Sequence, residues 1–338
     1  MWFQLSNDIL RASQWQRGFC LVLAALLAAC DGRQSALDPA GTGAESIATL
    51  FWWMCGGALL IWAAVMAITL YATQAHPEEH GIRSARWLIL GGGVIFPVVV
   101  LTGLLIYGLM LMPQLSSSED VSMRVEVSGE QWWWRVRYRT DEGEAIDLAN
   151  EIRLPVGQRV AFSLTSPDVI HSFWIPSLGG KVDMIPGRTN QLVLEPTRTG
   201  SFRGACAEYC GTSHALMAFP VVVMETAAFD EWLAQQAQPA QEPESALQRQ
   251  GQHAFLSNGC GACHRVRGTE ADGTVGPDLT HVGSRLSLAA GILPADIDAF
   301  QRWIGHTGEI KPDVRMPTFG MLPNDQLTAM AHYLKGLE

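Results

Sequence analysis

The chain has 338 residues and a formal net charge of −10 at pH 7. This length is sufficient for two soluble domains in addition to membrane segments. The acidic balance argues against a nucleic-acid-binding protein, because the chain has no basic surface to neutralise phosphates. Hydrophobic residues make up 48% of the sequence, and many of them lie near the N-terminus in long uncharged runs.

The N-terminal segment has the features of an export signal. Arg11 and Arg17 precede the apolar stretch 19–29, which is short for a membrane-spanning helix. The sequence up to Cys30 resembles the cleavage box of bacterial lipoproteins. That resemblance implies removal of residues 1–29 and attachment of lipid to Cys30. An uncleaved signal anchor with an incidental cysteine is the alternative.

Two uncharged runs follow, at residues 47–72 and 87–112. Each exceeds the ~20 helical residues that cross the hydrocarbon core of a bilayer, so we predict two spanning helices. A pair of buried core helices is the alternative. The loop between the runs carries Arg83 and Arg86, which the positive-inside rule places in the cytoplasm. The soluble sequence would then lie on the outer, periplasmic face of a bacterial inner membrane.

The remaining sequence divides into three segments of different composition. Residues 120–226 contain short stretches in which apolar positions such as Val125 and Val127 alternate with polar ones, which predicts an all-β sandwich or barrel. Residues 227–244 are rich in Ala, Gln, Pro and Glu, as expected for a linker. Residues 245–338 show helical periodicity and predict a small all-α domain.

A first group of metal-binding residue types lies near the end of the β segment. Cys206, Cys210, His214 and Met217 form the pattern C-x-x-x-C-x-x-x-H-x-x-M. Thiolate, imidazole and thioether together are the soft ligand set that selects copper, and a second cysteine allows two thiolates to bridge two metal ions. Such a site needs another histidine, for which His171 is the candidate. A Cys206–Cys210 disulfide is the alternative.

The sequence around this pattern resembles cytochrome c oxidase subunit II. The resemblance includes the triple-tryptophan segment 129–134 and the segments 168–179 and 185–188, and it extends from the first spanning run to about Glu225. It implies a cupredoxin-like domain that carries a binuclear copper centre, CuA.

The resemblance also implies a role for each candidate ligand of that centre. Cys206 and Cys210 would bridge the two copper ions, His171 and His214 would each bind one ion, and Met217 would be a weak axial ligand.

Two further roles follow from the same resemblance. Glu208 would bind copper through its backbone carbonyl, and its carboxylate would reach a magnesium ion shared with subunit I. Trp132 would be the residue at which electrons enter the copper domain, with core packing as the alternative role.

A second motif points to a covalently bound haem. Cys260, Cys263 and His264 read C-x-x-C-H. Two thiols at this spacing can form thioethers with the haem vinyl groups, and the adjacent histidine then binds the iron. A zinc knuckle and a redox-active C-x-x-C are the alternatives, but no second ligand pair follows. We therefore predict a c-type haem.

The sixth iron ligand is expected from the C-terminal sequence. Met316 is the candidate, because a thioether ligand raises the haem potential and suits electron transfer onward to copper. Met321 and Met330 are rivals, although Met330 lies on the predicted last helix and suits the core. The segment 276–279 resembles the part of small cytochromes c whose proline carbonyl holds the proximal histidine. That resemblance covers about residues 245–335.

Three functions compete on these grounds. In the first, the chain receives electrons through haem c from a cytochrome c or an upstream complex. It passes them through CuA to subunit I of an oxidase that also has a subunit III, reduces oxygen to water and pumps protons. The second is the equivalent subunit of a nitric oxide reductase, and the third is a membrane-tethered electron carrier. The second spanning run lacks the acidic residue that many oxidases place near its start, which leaves the proton route open.

Overall fold

The structure is a computed structural model. It describes residues 32–75, 81–116, 120–139 and 145–338. The predicted signal segment and Cys30 lie outside these ranges. The described chain forms an apolar helical hairpin, a two-sheet β domain and a helical C-terminal domain. The predicted multi-domain fold class is confirmed.

The hairpin has two limbs, each long and apolar enough to cross a membrane: Thr42–Gln74 and Ile82–Met112. The predicted runs 47–72 and 87–112 lie within these limbs. The limbs are built from the helices α1 (Thr42–Leu70), α2 (Ile82–Trp87) and α3 (Phe96–Ser116), with π-helical segments at Tyr71–Ala75 and Leu88–Ile95. Their large apolar side chains, Trp53 and Leu60 among them, are exposed in the isolated chain. Lipid or partner subunits are therefore needed to cover them.

The β domain is a sandwich of two five-stranded sheets, with strand orders β3-β2-β1-β5-β8 and β4-β10-β9-β6-β7. The strands are β1 (Met123–Glu130), β2 (Trp133–Arg139), β3 (Ala145–Ala149), β4 (Ile152–Pro155), β5 (Val160–Thr165), β6 (His171–Trp174), β7 (Val182–Met184), β8 (Asn190–Leu194), β9 (Gly200–Cys206) and β10 (Ala218–Met224). The pairs β1–β5 and β4–β10 are parallel, and the other pairs are antiparallel.

An aromatic cluster fills the space between the sheets. The ring of Phe219 lies 5.1 Å from that of Trp134 and stacks on that of Phe173 at 5.2 Å. Gly204 on β9 permits this arrangement, because a Cβ atom there would lie 2.1 Å from the Phe219 ring. The cluster supports strands β6 and β9, whose ends carry His171 and Cys206.

The predicted linker 227–244 is largely a helix instead. Helix α4 spans Thr226–Ala237, and its Phe229 is fully buried in the β-domain core. Trp232, one turn further on, packs edge to face with Tyr138 at 5.6 Å. The Ala- and Gln-rich composition suggested a linker, but two aromatic residues three positions apart place an apolar stripe on one helix face. That stripe covers one end of the sandwich.

The C-terminal domain contains the helices α5 (Ala246–Ser257), α6 (Ile297–Gly305), α7 (Thr307–Ile310) and α8 (Asn324–Lys335). Helix α5 begins with a capping box in which Ser245 and Gln248 satisfy each other's backbone amides. It packs closely on α8 at Gly251, where a Cβ atom would lie 2.0 Å from the Ala329 carbonyl oxygen. These two helices form one side of the domain core.

Candidate functional site

Three buried side chains form the centre of a candidate metal site in the β domain. The ligand atoms of His171, Cys206 and Cys210 all lie within 4.8 Å of one another. His171 begins β6 and Cys206 ends β9, and these strands are adjacent and antiparallel. The sheet therefore positions two ligands, and the loop that follows β9 supplies the third.

The same loop brings the remaining predicted ligands to this place. The Nδ1 atom of His214 lies 3.5 Å and the sulfur of Met217 lies 4.0 Å from the Cys210 sulfur. The Glu208 carbonyl oxygen is 3.2 Å from the Cys206 sulfur. The two cysteine sulfurs are 3.8 Å apart, far beyond the ~2.05 Å of a disulfide bond. Sulfur, imidazole and carbonyl donors thus surround one point, and this donor set fits copper.

The two thiols of the site differ strongly in acidity. A hydrogen bond from Cys210 lowers the pKa of Cys206 to about 3, with a further contribution from His171. The same partnership, together with burial, raises the pKa of Cys210 above its ordinary value. One sulfur is therefore a thiolate at neutral pH, and a bound cation would displace the proton that remains on the other.

Asp168 orients His171 for ligation. It accepts a hydrogen bond from Nε2 of His171 at 2.9 Å, which leaves Nδ1 facing the Cys206 sulfur at 3.8 Å. Burial would raise the Asp168 pKa, but hydrogen bonds from the Gln131 amide and from His171 outweigh it and lower that pKa. Burial likewise opposes charge on His171, yet its bonds to Cys206 and Asp168 raise its pKa.

Sequence reasoning assigned no function to Asp168. The available signal was a carboxylate three residues before a candidate ligand histidine, and ligand histidines commonly donate their second N–H to such a group.

Trp132 lies directly beside this site and is only 6% exposed. Its indole N–H donates to the Cys210 carbonyl at 3.0 Å, and the Gln131 side chain donates to the same oxygen at 2.8 Å. Gly211 leaves room for the ring, because a Cβ atom there would lie 3.0 Å from it. The tryptophan is therefore bonded to the backbone of a candidate bridging ligand.

A cavity of about 280 Å³ lies between the β domain and the C-terminal domain. The C-terminal domain contributes Cys260, Cys263, His264 and Met316 to its wall, and the β domain contributes a segment that includes Trp132. The two cysteines and the histidine of the C-x-x-C-H motif therefore face one cavity, as attachment of a haem requires.

His264 is held in the orientation that iron ligation needs. Its Nδ1 donates to the Pro277 carbonyl at 2.8 Å, which confirms the predicted bond and leaves Nε2 available as a ligand. Burial lowers the pKa of His264 and favours the neutral ring. Gly276 allows the loop to pass under the His264 ring, because a Cβ atom at residue 276 would lie 2.6 Å from that imidazole. This arrangement fits a haem group.

The three candidate methionines lie in different surroundings. Met316 lines the cavity, and so does Met330, which is 1% exposed within the domain core. Met321 is 78% exposed and is not among the cavity residues.

A two-sheet domain with a buried Cys–His–Met cluster, joined to a C-x-x-C-H domain and a membrane hairpin, defines a membrane-anchored electron-transfer protein. Comparisons with known proteins agree. Residues 141–226 match the family model for the periplasmic domain of cytochrome c oxidase subunit II, and residues 248–338 match the model for cytochrome c. The chain belongs to the cytochrome c oxidase subunit 2 family.

Individual relatives match this chain in sequence. The chain is 31% identical over 277 residues to cytochrome c oxidase subunit 2 of Bacillus subtilis, covering 77% of this chain and 76% of the relative. It is 36% identical over 219 residues to that of Alkalihalophilus pseudofirmus, covering 65% of this chain but only 62% of the relative. The crystal structure of the periplasmic domain of cytochrome oxidase subunit II of Bradyrhizobium japonicum is 30% identical, with a TM-score of 0.33. The alignment covers 36% of the present chain and 96% of the chain in that crystal structure.

Proposed function

We propose that this chain is the electron-accepting subunit of a respiratory haem-copper oxidase. Electrons would pass from haem c to CuA and on to subunit I, where oxygen is reduced to water with proton pumping. The position of Trp132 carries the proposal. This residue lines the cavity that holds the C-x-x-C-H motif, and it is hydrogen-bonded to Cys210 in the metal cluster.

The β domain would hold a pair of copper ions that together accept and release one electron. Cys206 and Cys210 would bridge them as thiolates, and His171 and His214 would each bind one ion. Strands β6 and β9 position His171 and Cys206. A rigid ligand frame limits geometric change when an electron arrives, which favours rapid transfer.

The weaker interactions of the centre come from Met217 and Glu208. The Met217 thioether would lie in the axial position, and the Glu208 backbone carbonyl would complete the set. The Glu208 carboxylate is 45% exposed and lies 3.8 Å from Lys181. Because it is exposed, it would be able to exchange the Lys181 ammonium for a magnesium ion at the interface with subunit I.

In the C-terminal domain, Cys260 and Cys263 would hold a haem covalently, and the haem would supply a second one-electron carrier. His264 would bind the iron through Nε2, the atom that its bond to Pro277 leaves available. Met316 is the proposed sixth ligand: Met321 faces solvent, and Met330, which also lines the cavity, is packed in the domain core on α8.

The burial of Trp132 determines where electrons enter the chain in this proposal. An external protein cannot contact a side chain that is 6% exposed beneath the C-terminal domain. An external cytochrome c or upstream complex would therefore deliver electrons to the haem, and Trp132 would relay them to Cys210. The two apolar limbs would anchor the chain in a bacterial inner membrane beside subunits I and III. Lipid on Cys30 would add a second anchor.

Purification of the complete chain with its native partners tests the proposal. We expect two copper ions and one covalent haem per chain, oxygen uptake, and reduction of copper after light-driven electron injection into the haem. The Cys206→Ser variant should keep its haem spectrum and lose both copper and oxygen uptake. Nitric oxide reduction without oxygen uptake would identify the reductase alternative. Isolation without a multi-span partner would favour a tethered carrier.

A further inference from the structure

Lys311 belongs to the C-terminal domain, but its ammonium group lies at the boundary with the β domain. Its side chain is buried, with 2% exposure. The Nζ atom donates to the carbonyl of Trp132 at 2.6 Å, of Leu216 at 2.8 Å and of Ala289 at 3.0 Å. An ammonium group has three N–H donors. All three are used, two of them across the domain boundary.

Two other hydrogen bonds join the same segments. The Ser213 hydroxyl donates to the Pro312 carbonyl at 2.6 Å, and the Ala218 amide donates to the Ala290 carbonyl at 3.0 Å. The segment 213–218, which includes the candidate ligands His214 and Met217, is therefore held between two loops of the C-terminal domain. We call these contacts, together with those of Lys311, the Lys311 clasp.

The clasp includes unfavourable backbone conformations. Ala289 and Ala290 have φ values of 55° and 63°, in the left-handed region that residues with a side chain rarely adopt. Such conformations persist where the surrounding contacts hold them. Here both carbonyl oxygens are engaged, one by Lys311 and the other by the Ala218 amide.

A second set of contacts joins the domains away from the segment 213–218. The Leu286 amide donates to the Glu151 carboxylate at 2.8 Å, and the Arg267 guanidinium donates to the Gln236 carbonyl at 2.6 Å. Gln236 lies in the last turn of α4, where a cation interacts favourably with the helix dipole. The domains are thus joined at several separate places, as a fixed docking arrangement requires.

We propose that Lys311 is a positioning residue that fixes the haem domain against the copper site and thereby sets the haem–Trp132–copper route. This inference rests on the proposed function. Of its three partners, Trp132 lies on the route and Leu216 precedes the axial candidate Met217. The Nζ atom of Lys311 therefore binds both the wall of the haem cavity, at Trp132, and the segment that carries candidate copper ligands, at Leu216.

The Lys311→Met variant tests this inference, because methionine has similar length and no N–H donor. In the loaded complete chain with its native partners, hydrogen exchange is measured at the amides of Ala218 and Leu286, which donate across the boundary. We expect exchange at both to accelerate about tenfold or more, since buried hydrogen bonds that hold the docked state are lost. Amides in the interior of β1 should not change.

Lys335→Met is the matched control. The Nζ atom of Lys335 also donates to a backbone carbonyl, that of Gly283 at 2.6 Å, but both residues lie in the C-terminal domain. Exchange at Ala218 and Leu286 should keep its wild-type rate in this variant. If Lys311→Met does not accumulate, Lys311→Gln replaces it, because its amide has two N–H bonds for three carbonyls.

The rate of haem-to-copper electron transfer after light-driven reduction of the haem separates positioning from general stability. In the wild type we expect a rate that does not depend on solvent viscosity, because the domains are already docked. In Lys311→Met the rate should fall and become viscosity-dependent. The inference is overturned if hydrogen exchange in Lys311→Met keeps its wild-type rate. It is also overturned if hydrogen exchange accelerates while the electron-transfer rate keeps its wild-type value and stays independent of viscosity. Failure of the loaded wild type to transfer electrons from haem to copper would instead refute the proposed function.

Discussion

The Asp168→Asn substitution should weaken copper binding without disturbing the fold of the β domain. Asp168 accepts the Nε2 proton of His171 at 2.9 Å and backbone amides at 2.7 Å from Gln131 and Val169. Asparagine keeps one oxygen acceptor and nearly the same shape. It removes the negative charge that orients the imidazole and increases its basicity.

The magnitude of the effect follows from the change of a charged hydrogen bond to a neutral one. A bond to a charged partner contributes about 1.5–3 kcal/mol and a neutral bond about 0.5–1.5 kcal/mol, a difference of about 1–1.5 kcal/mol. The Asp168 side chain is 12% exposed and that of His171 is 0% exposed, so solvent screens the pair little. About 1.4 kcal/mol corresponds to a tenfold change in affinity. We expect copper to bind about tenfold more weakly.

The assay is competition for copper between the complete chain and a chelator of known affinity, in mildly alkaline buffer where protons compete little for the imidazole. The electron paramagnetic resonance signal of the paired copper site reports occupancy. Asp147→Asn is the control, because Asp147 lies in the same domain and pairs with Arg137 at 2.7 Å. Copper affinity equal to wild type in Asp168→Asn would refute an orienting role for this carboxylate. An equal loss in Asp147→Asn would show that the effect is not local.

Three further outcomes are expected. Met316→Leu should lower the haem reduction potential while the haem stays attached, and Met321→Leu should change neither; redox titration of both variants distinguishes the ligand. Burial lowers the pKa of His281 to about 4 from 6.5, so its contribution to stability is present above pH 6.5 and is lost as the pH falls towards 4. His281→Gln should therefore reduce, by up to about 3 kcal/mol, the unfolding free energy that the C-terminal domain loses on acidification. Thermal melts at several pH values would show this. Gly204→Ala should destabilise the β domain by about 1–3 kcal/mol through overpacking, since its Cβ would lie 2.1 Å from the Phe219 ring.

The sequence predicted the parts of this molecule that depend on local pattern and on the chemistry of side chains. Apolar runs identified both limbs of the hairpin, and alternation identified the β domain. The spacing of Cys206 and Cys210 allowed a bridged site, and the structure brings His171 to the two cysteines across a strand pair.

Residues that act through backbone contacts could not be predicted in this way. Lys311 binds three carbonyl oxygens, and any residue has a carbonyl, so no residue type in the sequence indicates its partners. Helix α4 was missed for a different reason. Composition averages over a segment, whereas two aromatic residues, Phe229 and Trp232, are enough to hold the helix against the core.

Trp132 combines a role that the sequence suggests with surroundings that only the structure shows. The resemblance to cytochrome c oxidase subunit II implies that electrons enter the copper domain at Trp132, and the C-terminal domain covers this residue. The residue keeps its bond to the Cys210 carbonyl but faces an internal cavity instead of solvent. In the proposed function, the fused domain would therefore change the partner of Trp132 from an external protein to the haem of the same chain. Because both sites would then be fixed in one molecule, electron transfer between them would require no encounter step, and its rate should not depend on the concentration of a soluble donor once the haem is reduced.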